Sequence, residues 1–322
     1  MKILVTGGAG SVGGSLALAL AADGRNEVVV VDNFATSSPD KLPPEGERPF
    51  RFIRADVNNR DEIGDIMISG SFDYVFHYAA LVGVQRTLAN PIRVLSDIHG
   101  IEHVLRLAKN TGVKRVFYSS SSEVYGEPVE FPQNEDTTPL NSRLPYAIVK
   151  NVGEAFFRSF QREYGLDYTI FRFFNTYGPR QSKDFVISRF VDAALRGDDI
   201  TVYGDGSQTR TFCYIDDNIE TALACLSEGH AMNEVLNIGS DVETSVRQLA
   251  ELVIQLTGSR SRIVHLPALA EGDMTRRQPD NSKMRAILGR DLLPLSEGLA
   301  RVIGARSGFM AQASEIAVSD AA

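Results

Sequence analysis

Cysteine is almost missing from this chain of 322 residues: only Cys213 and Cys225 occur, too few for a disulfide framework. Long apolar runs are missing too. No stretch reaches the roughly 18 apolar residues that a bilayer-spanning helix needs, so no membrane span or membrane partner is expected. Basic residues are in deficit, with 33 Lys and Arg against 41 Asp and Glu and a net charge of −8. That balance argues against a nucleic-acid partner, while leaving room for a local basic pocket that holds a phosphate. The opening MKILVTGG enters a strand at once and lacks the charged-then-apolar layout of a signal peptide, so a soluble, cytoplasmic protein is expected. What the chain does have is apolar residues, 43% of the total, enough to bury one large domain or two modest ones.

Those apolar residues follow two alternating periods. Residues 2–6 (KILVT), 27–32 (EVVVVD), 50–54 (FRFIR), 72–76 (FDYVF), 114–119 (KRVFYS) and 167–172 (DYTIFR) read as short buried strands. Helical patterns at 11–22, 60–68, 91–110 and 143–164 lie between them. This alternation predicts an α/β fold: a Rossmann-type, doubly wound parallel sheet covered on both faces. After Asn175 the rhythm loosens, with helical patterns at 185–196, 216–228 and 246–255 and Pro or Gly between them. The expected organisation is a dinucleotide-binding domain over 1–175 and a smaller C-terminal α/β substrate domain over 176–306. Some later segments are expected to return to the first domain, and 307–322, lacking a clear period, to form a flexible tail.

The first strand ends in Thr6-Gly7-Gly8-Ala9-Gly10-Ser11-Val12-Gly13, and a helix follows directly. Gly8, Gly10 and Gly13 fit G-x-G-x-x-G; Gly7, Gly10 and Gly13 fit G-x-x-G-x-x-G. Such glycines let the backbone turn sharply and bring N–H groups to a pyrophosphate at the helix N-terminus. Asp32 ends the second strand about 20 residues further on, where a carboxylate takes ribose hydroxyls and repels a 2′-phosphate. The reading is NAD as cofactor, with Asp56 and Val57 at the end of the third strand near the adenine; no residue is assigned to a metal.

Tyr146 and Lys150 are spaced i, i+4 on one helix, with Pro145 at its start. Val149, Val152, Phe156 and Phe160 are expected as the core stripe, beside which the pair points at a site. A tyrosine acting as a base near neutral pH needs its pKa lowered by about three units, roughly 4 kcal/mol. A nearby ammonium and the positive nicotinamide ring both pull that way. The hydroxyl-rich Tyr118-Ser119-Ser120-Ser121-Ser122-Glu123 leaves the fifth strand at its carboxyl end, at the same site.

Together these residues resemble the extended short-chain dehydrogenase/reductases, specifically the NAD-dependent nucleotide-sugar epimerase/dehydratase family. The resemblance runs from Lys2 to about Arg301. It rests on TGGAGSVG, VVDN, RADV, HYAA (77–80), SSSSEVYG, YAIVK, FRFFNTYGPR (171–180), VYGDGSQTRTFCYIDD (202–217) and RRQPD (276–280). It implies Ser121, Tyr146 and Lys150 as catalytic residues. It implies cofactor contacts from Gly7, Gly10, Ser11, Val12, Gly13, Asp32, Asn33, Asp56, Val57, Ala79, Ala80, Ser119 and Phe173, together with Tyr146 and Lys150. For a nucleotide-diphosphate sugar, most simply a UDP-sugar, it implies Ser121, Ser122, Glu123, Asn175, Phe185, Val186, Thr201, Val202, Tyr203, Arg210, Arg277 and Asp280. A homodimer is implied through the helices at 91–110 and 143–164, with Leu95, Val104, Leu105, Phe157 and Phe160 as apolar surface. One departure stands out: segment 90–105 is a residue short and lacks the asparagine that relatives place near the nicotinamide, leaving Asp97 or His99 there.

The resemblance implies oxidation of a sugar 4-hydroxyl to a 4-keto sugar, after which three fates diverge. A UDP-sugar 4-epimerase, favoured on AALVGVQRT (79–87), returns the hydride to the other face. A UDP-glucuronate decarboxylase loses CO2, with Glu123 acting near C5. A 4,6-dehydratase eliminates water, but Ser122 stands where its aspartate is expected. Arg86, Arg180 or Lys183 could meet a sugar carboxylate. A catalytically silent nucleotide-binding regulatory protein is the alternative from another class.

Overall fold

The structure is a computed structural model that describes residues 1–127, 129–267 and 277–319. Arg276 of the RRQPD segment and residues 320–322 of the expected tail lie outside the described residues.

Seven parallel strands form one sheet in the order β11-β6-β5-β4-β1-β2-β3. They are β1 (Lys2–Thr6), β2 (Glu27–Asp32), β3 (Arg51–Arg54), β4 (Tyr74–His77), β5 (Arg115–Ser121), β6 (Asp167–Phe173) and β11 (Glu234–Ile238). The first six match the expected runs to within a few residues. The seventh comes from the second half of the chain and pairs with β6; Glu234 and Asn237 interrupt its apolar run and hide it in the sequence. Side chains alternate across the sheet: Ile3 and Val5 enter one core, Leu4 the other. Both cores are covered by helices, which is why the strands read as unbroken apolar runs.

On one face lie α1 (Ser11–Ala22), α7 (Val186–Arg196), α8 (Ile215–Ser227), α9 (Val246–Thr257) and α10 (Ser282–Leu288). On the other lie α2 (Arg60–Gly70), α5 (Asp97–Thr111) and α6 (Pro145–Tyr164), with the short α3 (Val84–Ala89) and α4 (Pro91–Leu95) at their end. Two-stranded ladders, β7 (Thr176–Tyr177) with β10 (Cys213–Tyr214), β9 (Thr209–Thr211) with β12 (Glu243–Ser245) and β8 (Ile200–Tyr203) with β13 (Ile263–Leu266), organise the smaller C-terminal part. Its apolar residues Phe190, Leu249 and Leu299 join the same core as Ile3 and Val5.

Three expectations need correction. The single helix expected over 91–110 breaks at Ser96, whose N–H is shared between the carbonyls of Ile92 and Val94. The stripe of α6 runs through Val149, Gly153, Phe157 and Phe160, with Val152 and Phe156 only partly buried. Gly153 is required there, because any Cβ would strike the Tyr118 hydroxyl. The segment from Ser307, expected to be a flexible tail lacking a clear period, continues α11 (Leu295–Ser319). It holds no proline and is rich in alanine, the strongest helix former. Just before it, Arg306 anchors the helix by an ion pair to Asp192 at 2.5 Å and bonds to Gln181 O and Ser188 Oγ, both 2.8 Å.

Val104, Leu105, Phe157 and Phe160, expected to offer dimer surface, are buried in this chain's own core. Leu95 is exposed on α4, with Leu88, Ile92 and Ile148 also exposed on α3, α4 and α6.

Candidate active site

The strand order reverses between β1 and β4, and the crevice outside their carboxyl ends is where ligands bind in such sheets. A cleft of about 490 Å³ opens there, a normal size for a small-molecule site. Every residue expected to hold the cofactor lines it: Gly7, Gly10, Ser11, Val12, Gly13, Asp32, Asn33, Asp56, Val57, Ala79, Ala80, Ser119, Tyr146, Lys150 and Phe173.

The cofactor side is built for close backbone approach. Gly7 sits at φ +70°, and a Cβ there would lie 2.6 Å from the Ala79 nitrogen; a Cβ on Gly13 would collide with the Gly7 carbonyl. Gly10 caps α1 without a side-chain bond, which leaves the helix's first N–H groups directed at the cleft. Asp32 is fixed by the Ala9 N–H at 3.0 Å, the Phe34 N–H at 2.8 Å and the Ser37 hydroxyl at 2.9 Å. Asn33 donates to Asp56 at 2.9 Å, joining the ends of β2 and β3. These residues fit an NAD: a glycine cradle and helix N-terminus for the pyrophosphate, and a carboxylate for the ribose.

The three residues expected to be catalytic, Ser121, Tyr146 and Lys150, line the same cleft. Ser121 ends β5, its Oγ accepting the Glu123 N–H at 3.2 Å and its hydroxyl favouring the Tyr146 phenolate. Lys150 is buried, 3% exposed; its ammonium donates to the Ser119 carbonyl at 2.6 Å and lies 5.7 Å from the centre of the Tyr146 ring. Burial pulls Lys150 down to about 8, opposed by the charge of Asp97. Tyr146 moves opposite to the sequence expectation: burial first, then Glu123, raises it well above an ordinary tyrosine, and only the Ser121 hydrogen bond and Arg277 pull it back. The chain's own residues therefore hold the phenol protonated, and oxidised nicotinamide, when bound, supplies the positive charge that favours the phenolate.

The substrate side is a mixture. Ser121, Ser122, Glu123, Asn175, Phe185, Val186 and Arg277 line the cleft. Arg277 reaches Ser122 Oγ at 3.4 Å and Glu123 at 3.8 Å. Asn175 adopts φ +35°, a conformation asparagine tolerates, and donates to the Thr211 carbonyl at 2.9 Å.

Thr201, Val202, Tyr203, Arg210 and Asp280 do not line the cleft. Thr201 accepts from Arg189, which also lies over the Tyr203 ring, and Val202 is core. Arg210 bonds the Thr209 carbonyl, and Asp280 takes Asn134 Nδ2 and the Ser282 N–H at the start of α10. Arg86 is tied to Asp184 at 2.9 Å, Arg180 to the Lys41 carbonyl, and Lys183 is exposed.

His99 is exposed, whereas Asp97 lines the cleft. His77 is buried against the Thr6 hydroxyl at 2.9 Å, and burial lowers it to about 3, which keeps it neutral. Sequence reasoning missed Lys41, Asn58, Gln181 and Phe212 as cleft residues; Phe212 lies within the 202–217 motif but carries no polar group that marks it, and the other three lie outside the quoted motifs.

The family model described as the NAD dependent epimerase/dehydratase family matches residues 3–239, and the chain belongs to that family. It is 37% identical over 299 residues to a UDP-N-acetyl-alpha-D-glucosaminuronate decarboxylase of Bacillus cytotoxicus, covering 88% of this chain and 90% of the relative. It is 36% identical over 311 residues to UDP-glucuronic acid decarboxylase 1 of Danio rerio, covering 94% of this chain and 72% of the relative. Among solved structures, the UDP-glucose 4-epimerase of Thermotoga maritima with UDP-glucose superimposes with a TM-score of 0.90 at 32% identity, covering 96% of this chain and all of that one. The chain is thus an NAD-dependent enzyme of the nucleotide-sugar epimerase and decarboxylase type.

Proposed function

We propose that this enzyme decarboxylates a UDP-hexuronic acid to the corresponding UDP-pentose. The observation that carries this reading is Glu123: a carboxylate in the cleft, two residues from Ser121, with Arg277 facing it at 3.8 Å. A 4-epimerase needs only Ser121, Tyr146 and Lys150 and room for the sugar to turn, so the acid–guanidinium pair is machinery beyond that need. The two decarboxylase relatives support the same order, which reverses the preference drawn from AALVGVQRT.

NAD, held by the Gly7–Gly13 turn and Asp32, would supply the acceptor and donor for the C4 hydride. Ser121 positions the 4-hydroxyl and Tyr146 takes its proton. The product is a β-keto acid: the C5–C6 bond breaks, CO2 leaves, and the electron pair is held in the enolate spread over C5, C4 and O4. A proton then adds at C5 on the side where Glu123 stands. Arg277 orients the departing carboxylate as a guanidinium fork. On re-reduction of the ketone, Tyr146 would give its proton back to the 4-oxygen. The net change consumes one proton and releases one CO2.

The second reading is a UDP-sugar 4-epimerase, favoured by the likeness to the Thermotoga enzyme. Proton NMR of the NAD-loaded enzyme with UDP-glucuronate, UDP-N-acetylglucosaminuronate and UDP-glucose separates the two. A UDP-pentose with stoichiometric CO2 is expected from one of the uronates. A C4 epimer without CO2 moves the epimerase to first place.

A further inference from the structure

One acid in the cleft has no part in that mechanism. Asp97 starts α5 and lines the same cavity as Tyr146 and Lys150. Its Oδ2 accepts the Leu81 N–H at 2.7 Å and its Oδ1 accepts Asn58 Nδ2 at 3.1 Å. Asn58 is itself held, accepting the Gly100 N–H at 3.0 Å. The carboxylate is therefore fixed in place, where the resemblance leads one to expect a neutral asparagine.

Lys150 has no ion pair among the described residues; its bonds are to the carbonyl of Ser119 and, at 3.5 Å, its hydroxyl. Several titratable groups face it. On β5 the Tyr118 ring lies 5.0 Å from the ammonium, and burial keeps that phenol protonated. His77 at the end of β4 is neutral. Tyr146, on its own helix, also feels Glu123 and Arg277, whose opposite charges pull it in opposite directions. Asp56, at the end of β3, acts on Asp97. Asp97 lines the same cavity as both members of the pair, and its negative charge there raises the proton affinity of each.

We propose that Asp97 is the positioning residue that sets the protonation of the Tyr146–Lys150 pair, its fixed negative charge keeping Lys150 an ammonium while Tyr146 takes and returns the sugar's proton. This rests on the pair's proposed role and not on which sugar is turned over. Two groups this close titrate as a unit, and a nearby anion raises both steps together. Removing it must displace both limbs of a pH–rate profile to lower pH, whereas losing a mere loop anchor lowers rate or NAD affinity with the limbs in place.

The test uses the NAD-loaded enzyme and Asp97→Asn. Both limbs of kcat/KM, with whichever UDP-sugar is turned over, are expected to move down by about one unit. The tyrosinate absorbance of Tyr146, isolated by subtracting Tyr146→Phe, is expected to move with them. That titration needs no turnover, so it decides the matter even if the functional reading fails. The double variant Asn58→Asp with Asp97→Asn exchanges amide and carboxylate and keeps every hydrogen bond described above. It should keep NAD affinity and bring the limbs back toward wild type. Should Asp97→Asn not fold, the wild-type Asp97 carboxyl carbon resonance serves: a second inflection where the pair titrates is expected. Unmoved limbs and tyrosinate absorbance in Asp97→Asn, or no such inflection, overturn the proposal.

Discussion

The two sides of the cleft differ in how they are built. The cofactor side is made of short continuous segments, each leaving the carboxyl end of a strand: 7–13 after β1, 32–33 after β2, 56–57 after β3, 79–80 after β4. Every residue expected on that side lines the cleft. The substrate side draws Glu123, Asn175, Phe185 and Arg277 from segments up to about half the chain apart, and five expected residues lie elsewhere. A ligand held by one turn of backbone leaves a local pattern; a ligand held by converging side chains does not.

The largest expected effect breaks the cofactor side. Gly13→Val puts branched carbon where even a Cβ meets the Gly7 carbonyl, so α1 must withdraw from β1 and lose the pyrophosphate cradle. NAD affinity by titration calorimetry should fall by at least about 100-fold, turnover falling with it, as expected when roughly 3 kcal/mol of charge-assisted bonding is lost. Unchanged affinity in a folded variant would falsify the cradle.

The next comparison sharpens the substrate side, by setting two arginines of equal standing in the sequence against each other. Arg277 is buried in the cleft beside Ser122, while Arg210 is engaged with the Thr209 carbonyl outside it. Arg277→Ala should lower kcat/KM by about 30- to 100-fold, the worth of one charge-assisted contact, and Arg210→Ala by less than about twofold. If Arg210→Ala is the more damaging, the C-terminal part moves onto the sugar nucleotide when it binds.

The fold was largely legible because period and glycine turns are local. Six of the sheet's strands and the Tyr146–Lys150 helix stood in the apolar pattern. β11 did not, since two of its five residues are polar and partner other segments: Asn237 takes the Tyr125 hydroxyl at 2.8 Å, and Glu234 faces Lys283 of α10 at 3.9 Å. The raised proton affinity of Tyr146 was also illegible, because it comes from burial under residues distant in sequence. Asp97 shows the same limit from the other side. Its departure from the expected asparagine is visible in the sequence, but its bonds to Leu81 and Asn58 need the fold.

The smallest expected effect concerns stability on the cofactor side. His77 is wholly buried at the end of β4, next to the glycine turn, and burial lowers it from 6.5 to about 3. The unfolded chain therefore binds a proton that the folded one refuses between those values, and stability falls as pH drops through that window. Above about 6.5 the penalty vanishes, because both states are then neutral. His77→Asn removes the titration while leaving a group that can bond Thr6. The stability advantage of wild type over this variant, from urea unfolding, should shrink by between about 1 and 2 kcal/mol from pH 6.5 to pH 5. A pH-independent difference would mean that the histidine finds room or a partner for its second proton, and that this wall of the cofactor side is looser than its packing implies.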